Sequence, residues 1–507
     1  MPRSTLPVPR PVRTRVGSRN LTGAVAVLAI WAASRYWGHA AGVRFDASNL
    51  RPYHQFLDVE LLRDRLLQSL WYLHYQPPLF NLLLGVGLKL PAPETFWWAV
   101  FLVLGASLHV GLFVVARALG LPIWASVLTA GSFAAAPESI LYESWLFYNY
   151  PAAAFLVGAV AGAAAGGAQR RWGWLLCFGC LAALPLTLSF FNPWAFFLPA
   201  TLGLVLLGPA GEWRRRAIIA IPAVAVALSP TIKNLVLFGS EGGALGMTLA
   251  RIVASNVPMQ ARRAEVAAGT LSPASLVYPF QAIDAYPPAW RAVPPATPDV
   301  PVLRRPLKFG GVPNFNYAAY LPIARADSRD SIRLLREYPA IFAHTVRRSW
   351  WTYLIPATEF FGVERNRARI AGYTRAVNRW FYGMQNLDFP ITNPTQLSDA
   401  TLRSGRGLRW ALAVGLALVF GIACACRDLF FGERSDRRRG TLLAFMAFAV
   451  LYVTVVGNLL ENGENNRFRL MIDPLLWLFV AFAIAQGARW LARLFATARP
   501  ARSSIGV

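Results

Sequence analysis

Apolar residues gather along this chain in long runs, and the polar residues collect in the gaps between them. The runs fall at roughly 21–41, 95–116, 121–137, 149–168, 172–190, 194–210, 216–237, 408–426, 441–459 and 469–490. A helix needs about 20 such residues to cross a bilayer. The pattern therefore predicts an all-α polytopic membrane protein with about ten transmembrane helices. A large segment, 239–407, separates the seventh span from the eighth and is expected on the non-cytoplasmic side. A further run at 78–90 is apolar but short, and is expected to lie on the outer side as a half-span or interfacial helix. Within 239–407, Tyr286-Pro-Pro and Val293-Pro-Pro predict irregular chain, and Ser328 to Tyr338 predicts a helix. Residues 339–357 set Arg347-Arg348 beside Trp350-Trp351 and Tyr353, the composition of an interfacial amphipathic stretch.

Composition agrees with the pattern. The 507 residues are 55% hydrophobic and 15% charged, where a soluble chain carries about 25% charged residues. The net charge of +25 comes almost wholly from arginine, since lysine occurs only at Lys89, Lys233 and Lys308. In a membrane protein such an excess marks the cytoplasmic side. No zinc-finger, helix-turn-helix or RNA-recognition pattern accompanies it, so nucleic acid is not expected as a partner. Arginines cluster before the first span (Arg3, Arg10, Arg13, Arg15, Arg19), at Arg170-Arg171, at Arg214 to Arg216, at Arg434 to Arg439 and from Arg489 to Arg502.

Placing every cluster inside the cell gives one consistent weave with both termini cytoplasmic. Residues 1–20 are then a basic cytoplasmic N-terminus, and 21–238 a transmembrane core with a first outer loop at 42–94. The 239–407 segment lies outside, 408–490 hold the C-terminal helices, and 491–507 form a cytoplasmic tail. The Arg-rich start followed by 21–41 imitates a signal peptide but is read as an uncleaved anchor. Arg-, Ala- and Gly-rich usage points to a bacterial plasma membrane. Cys177 and Cys180 have CxxC spacing, yet they and Cys424 and Cys426 lie in apolar runs and are expected to pack rather than react.

The weave collects chemistry on one face. Asp46, Asp58, Glu60, Glu138, Glu143, Glu461 and Glu464 all fall outside, with Lys233-Asn234, Arg467 and Arg469 at span ends beside them. A carboxylate at a helix end is often only a solvated cap. Carboxylates together with cations suit an anionic lipid-linked substrate, the carboxylate as general base and arginine as phosphate clamp. No metal-ligand spacing occurs; a divalent metal is left open.

Four stretches resemble a known family. Asp46 follows the first span. His74-Tyr-Gln76-Pro-Pro-Leu-Phe-Asn resembles an H-x-P-P-L or K-P-P-L-Y-Y segment. Pro230-Thr-Ile-Lys233-Asn234 with Phe238-Gly239 resembles P-x-x-x-(R/K)-N ending a span, and Glu464-Asn-Asn-Arg467-Phe-Arg469 resembles an E-x-R-Y segment opening a late span. In order and spacing these resemble GT-C glycosyltransferases of the protein O-mannosyltransferase and lipid A aminoarabinose transferase type, over about residues 20–240 and 408–490. Asp46 stands alone where the family often has an Asp-Glu pair, and Lys233 replaces a more usual arginine. The 239–407 region holds no motif of the family.

The resemblance implies a membrane glycosyltransferase, hexosyl or pentosyl, that takes a sugar from a polyprenyl-phosphate donor at the non-cytoplasmic face. The acceptor would be an envelope glycan, lipid or protein. Asp46, or with less weight Asp58, would deprotonate the acceptor hydroxyl. Lys233, Arg467, Arg469 and His74 would hold the departing phosphate, with Gln76, Glu143, Asn234 and Glu464 in support; His74 serves equally as a structural hydrogen-bonder beside its Pro-Pro turn. Two other readings stand beside this one. A transporter or flippase of a lipid-linked intermediate would carry its acids at midplane helix breaks rather than at span ends. A non-catalytic assembly subunit could share the scaffold.

Overall fold

The computed structural model describes residues 15–166, 171–208, 211–242, 244–383 and 407–497. Most of the basic N-terminus, Arg170, residues 384–406 and the tail from 498 lie outside the described residues. The helices are α1 (Arg15–Ala40), α2 (Val59–Asp64), α3 (Leu66–Trp71), α4 (Pro78–Leu88), α5 (Pro93–Ala118), α6 (Ile123–Ala135), α7 (Pro137–Glu143), α8 (Asn149–Ala165), α9 (Arg171–Thr187), α10 (Leu198–Leu207) and α11 (Trp213–Phe238). The segment that follows holds α12 (Ala244–Ile252), α13 (Met259–Ala267), α14 (Pro301–Arg304), α15 (Tyr320–Glu337), α16 (Pro339–Leu354), α17 (Glu364–Arg369) and α18 (Ala371–Tyr382). The chain closes with α19 (Leu408–Phe430), α20 (Arg434–Leu460), α21 (Asn465–Arg469) and α22 (Asp473–Thr497). Among the described residues there is no strand, only isolated bridges at Asp46–Trp145 and Leu307–Pro313.

Five helices are long and apolar enough to cross a membrane: Pro93–Ala118, Trp213–Phe238, Leu408–Phe430, Asp436–Leu460 and Asp473–Phe495. Their apolar side chains stay exposed in rows, such as Ile218, Ile221 and Val236 on α11 and Leu412, Leu416 and Val419 on α19. Rows of that kind need lipid against them, and the chain is built as a polytopic membrane protein. The spans expected at 121–137, 149–168, 172–190 and 194–210 are helical but shorter. Helix α6 has 13 residues, about 20 Å at 1.5 Å per residue. Proline and glycine set these lengths: Pro137 opens a new helix after α6, and α8 stops at an extended Gly166. A five-residue π-helical turn, Pro193–Phe197, begins on the Asn192 cap and leads into α10. Helix α1 has 26 residues but is not among the five. Run 78–90 is the 11-residue α4.

Helix α8 is the buried centre, packed along α9 and α5. Its Ala- and Gly-rich sequence permits the close approach. A Cβ at Gly162 would stand 2.5 Å from the Cys177 nitrogen, and one at Gly173 would stand 2.4 Å from the Gly166 nitrogen. Small residues let membrane helices meet backbone to backbone. Cys177 and Cys180, on the same contact, are free thiols.

The 239–407 segment is not a separate ball. Its α12 and α15 pack on each other, and α16 packs against α20 and α21. The helix expected from Ser328 starts eight residues earlier, at Tyr320. Two small apolar clusters, around Tyr286, Phe315 and Tyr320 and around Ile252, Val257 and Leu334, lie almost wholly within the segment, while Val302, Leu303, Ala318, Ala357 and Phe360 join the main core with the membrane helices.

Candidate active site

A cavity of about 1410 Å³ lies where the membrane helices meet the 239–407 segment. Leu188, Phe190, Pro193, Tyr452, Val456 and Phe468 give it an apolar side. Helices α12 and α15 also line it, and Arg325, Arg329, Arg333 and Arg336 of α15 repeat at helical spacing. Most of these arginines already have partners: Arg329 pairs with Asp330 at 3.3 Å, Arg333 with Glu337 at 2.8 Å, and Arg325 donates to the Phe238 carbonyl.

Arg467 is the cation most deeply built into the wall. The turn carrying it is set by two asparagines. Asn465 accepts from the Gly463 nitrogen at 3.0 Å and donates to the carbonyls of Gly457 and Glu461, each at 3.0 Å. Asn466 donates to the Pro356 carbonyl at 3.1 Å. Gly463, at φ 110°, makes the bend that a side chain would resist. Arg467 is 2% exposed. Its guanidinium stands 4.8 Å from the Phe468 ring centre, 4.9 Å from Phe147, 5.2 Å from Phe360 and 5.7 Å from Tyr148. Nη2 pairs with Glu464 Oε2 at 2.6 Å, while Nε and Nη1 are buried without a hydrogen-bond partner. Aromatic faces attract the charge but do not replace an acceptor, and an unmet buried donor is unfavourable by about 1–3 kcal/mol. Burial works against this cation, but Glu464, Tyr148, Tyr53 and Glu461 together outweigh it and leave the pKa raised.

Beside it, Arg251 of α12 pairs with Glu461, at the end of α20. Arg251, Glu461, Glu464 and Arg467 all line the cavity. Burial, with Lys308, Arg251 and Arg467 nearby, pulls His54 down to about 3 and keeps it neutral.

Several residues singled out in the sequence meet here. His74 lines the cavity. Its Nε2 lies 3.0 Å from the Asn316 carbonyl, which can only accept, so Nε2 carries the proton. Nδ1 is a buried lone pair without a partner. Burial, with Lys233 nearby, lowers its pKa to about 4. His74 is therefore a neutral acceptor, suited to a sugar hydroxyl rather than to a phosphate. Asn234 and Gln76 also line the cavity. Lys233 stands just behind, donating to the Leu73 carbonyl at 2.5 Å, and so ties α11 to the His74 loop.

The others lie elsewhere. Asp46 is not part of the lining. Its backbone is stitched to the turn after α7, from its nitrogen to the Ser144 carbonyl at 2.8 Å and from the Leu146 nitrogen to its carbonyl at 2.9 Å. Its carboxylate accepts from the Ser48 nitrogen at 2.9 Å. Asp58 caps α2 through the Glu60 nitrogen at 3.0 Å and accepts from the Phe309 nitrogen at 2.7 Å, so both oxygens are committed to backbone. Glu143 joins α7 to α1 through Arg35 at 2.8 Å and accepts from the Tyr150 hydroxyl at 2.5 Å. Arg469 turns away from the cavity into a buried knot with Asp473 at 3.1 Å, the Tyr353 carbonyl at 2.6 Å and the Tyr382 hydroxyl at 3.3 Å. Arg251 was not singled out in the sequence, because nothing around it in the 239–407 segment forms a motif. Glu461 appeared there only as one of several outer-face acids.

No protein-family model matches the chain. No curated protein matches it either. Two solved structures align with 96% of this chain and 82% of their own: ArnT from Cupriavidus metallidurans bound to undecaprenyl phosphate, at 15% identity and TM-score 0.29, and the same protein in the apo state, at 14% and 0.28. A likeness of that depth decides nothing about chemistry.

Proposed function

We propose that this protein is a membrane glycosyltransferase that moves a sugar from a polyprenyl-phosphate donor to an envelope acceptor: a glycan, a lipid or a protein. The observation that carries the reading is Arg467, a buried guanidinium on the cavity wall with two N–H-bearing nitrogens lacking an acceptor. An apolar flank from the membrane helices beside a fixed cation suits a ligand with a long hydrocarbon tail and a phosphate head. The motif resemblance over residues 20–240 and 408–490 supports the same class.

In the proposed reaction the acceptor oxygen attacks the anomeric carbon with inversion, and the carbon–oxygen bond to phosphate breaks. The bonding pair leaves on the phosphate, which Arg467 stabilises where the charge collects. Neutral His74 accepts a hydrogen bond from the sugar through Nδ1. The resemblance assigns the proton acceptor to Asp46. We assign it instead to Glu464, which lines the cavity with one oxygen on Arg467, whereas Asp46 is not part of the lining and both oxygens of Asp58 are held by backbone N–H groups.

The test is binding of a polyprenyl phosphate to the full-length protein in detergent, with the unphosphorylated polyprenol as control. Arg467→Gln should weaken binding of the phosphate about 100-fold, the scale for a buried charge-assisted contact, and leave the alcohol unaffected. Equal binding of phosphate and alcohol by the unaltered protein would end the reading. Mass analysis of envelope glycans with and without the gene would then name the product.

A further inference from the structure

We propose that Arg251 is a second phosphate-binding cation of this cavity, held by Glu461 at rest and handed over to the donor's phosphate on binding. The inference rests on the donor reading above and adds a residue and an exchange to it. Arg251 lies on α12, in the part of the chain without a motif, and lines the cavity with Arg467. Its Nη2 pairs with Glu461 Oε1, while its Nε is buried with no partner. The guanidinium also lies 5.9 Å from the Phe280 ring centre.

The two arginines are close enough to act on the same neighbours. Both depress His54, and both act on the Glu461 carboxylate. An anion seated between them meets two guanidinium forks rather than one. Carboxylate and phosphate oxygens suit the fork in the same way. Replacing one by the other keeps Arg251 paired and can also satisfy its idle Nε.

Glu461 is suited to let go. Its side chain otherwise accepts the Asn462 nitrogen at 3.0 Å. Burial first, and then nearby Glu464, raise its pKa, with Arg251 opposing. A buried carboxylate left without its cation is costly, so Glu461 takes up a proton as Arg251 moves to the phosphate, the direction in which its raised pKa points. The exchange also has a mechanical side. Arg251 rides on a helix locked to α15, since a Cβ at Gly246 would stand 1.8 Å from the Ala324 carbonyl oxygen. At rest the ion pair joins the 239–407 segment to the end of a membrane helix; with donor bound, the same cation joins that segment to the ligand.

The experiment measures polyprenyl phosphate binding to full-length protein in detergent, with polyprenol as control and thermal unfolding to verify folding. Arg251→Gln should lower affinity about tenfold or more, the scale of one charge-assisted contact. Glu461→Gln removes the competing anion at constant shape and should raise affinity several-fold. The double variant should bind close to Arg251→Gln and well below Glu461→Gln, because the main effect of Glu461 runs through its ion pair with Arg251, with a smaller one through Arg467. Unchanged affinity in both single variants, or weaker binding in Glu461→Gln, overturns the inference. If Arg251→Gln does not fold, the direction of the Glu461→Gln change decides alone. Loss of binding in Arg467→Gln with none in Arg251→Gln leaves the donor reading standing and removes this one. Equal binding of phosphate and polyprenol by the unaltered protein removes both.

Discussion

Arg467 and Arg469 sit two residues apart on one five-residue helix, both nearly inaccessible, both ringed by aromatic side chains. Arg469 has an acceptor for Nε, Nη1 and Nη2 alike and lies 4.3 Å from the Trp410 ring centre. Arg467 has one carboxylate, two idle nitrogens and a place on a cavity wall. Burial and aromatic surroundings therefore do not separate a structural arginine from a binding one. What differs is the tally of satisfied donors, and on the proposed reading the unmet ones on Arg467 are left for the ligand.

The comparison can be broken most forcefully at Arg469. Arg469→Met strands Asp473, which is 1% exposed. Removing one member of a buried ion pair typically destabilises by about 3–5 kcal/mol. Thermal unfolding in detergent should show that loss, while polyprenyl phosphate affinity of the molecules that remain folded should hold. A variant as stable as the parent with weakened binding would reverse the two roles.

Arg467→Gln should do the opposite, with a large loss of binding and a stability change of about 1 kcal/mol or less, since Glu464 is partly exposed and can be hydrated. Next comes the proton acceptor. Glu464→Gln should lower turnover roughly 100-fold, the usual range for a general base, and Asp46→Asn should lower it much less. A transfer assay with both purified variants decides, and the reverse order would return the role to Asp46.

The smallest effect is zero at neutral pH. His74 has a folded pKa of about 4 against an ordinary 6.5. The folded state thus binds fewer protons between those values. The stability this gives is complete above pH 6.5 and is lost as pH falls toward 4. His74→Gln should flatten that part of the curve of unfolding temperature against pH; an unchanged slope would mean that the imidazole is not held neutral.

The long apolar helices were legible because length and composition alone define them, and Glu464-Asn-Asn-Arg467 was legible because its charges interrupt an apolar run. The short membrane helices were overestimated where a proline or glycine cut the run, as at Pro137 and Gly166. Sequence treated Asp46 and Asp58 as free carboxylates. Their occupation depends on the nitrogens of Ser48, Glu60 and Phe309, and the last of these comes from 251 positions away. Arg467 and Arg469 looked equivalent because a two-residue step around a helix is a half-turn of direction that only the fold can orient. Arg251 carried no signal, since its proposed role depends on facing Glu461 across 210 positions.

The glycine contact between α8 and α9 has a mechanical consequence. With backbone against backbone at Gly162 and Gly173, that seam has no side-chain layer to slide on. Helix α11 is held differently: it is the least buried of the five long apolar helices, at 22%, it contains Pro222 and Pro230, and Lys233 near its end fastens it to the Leu73 carbonyl.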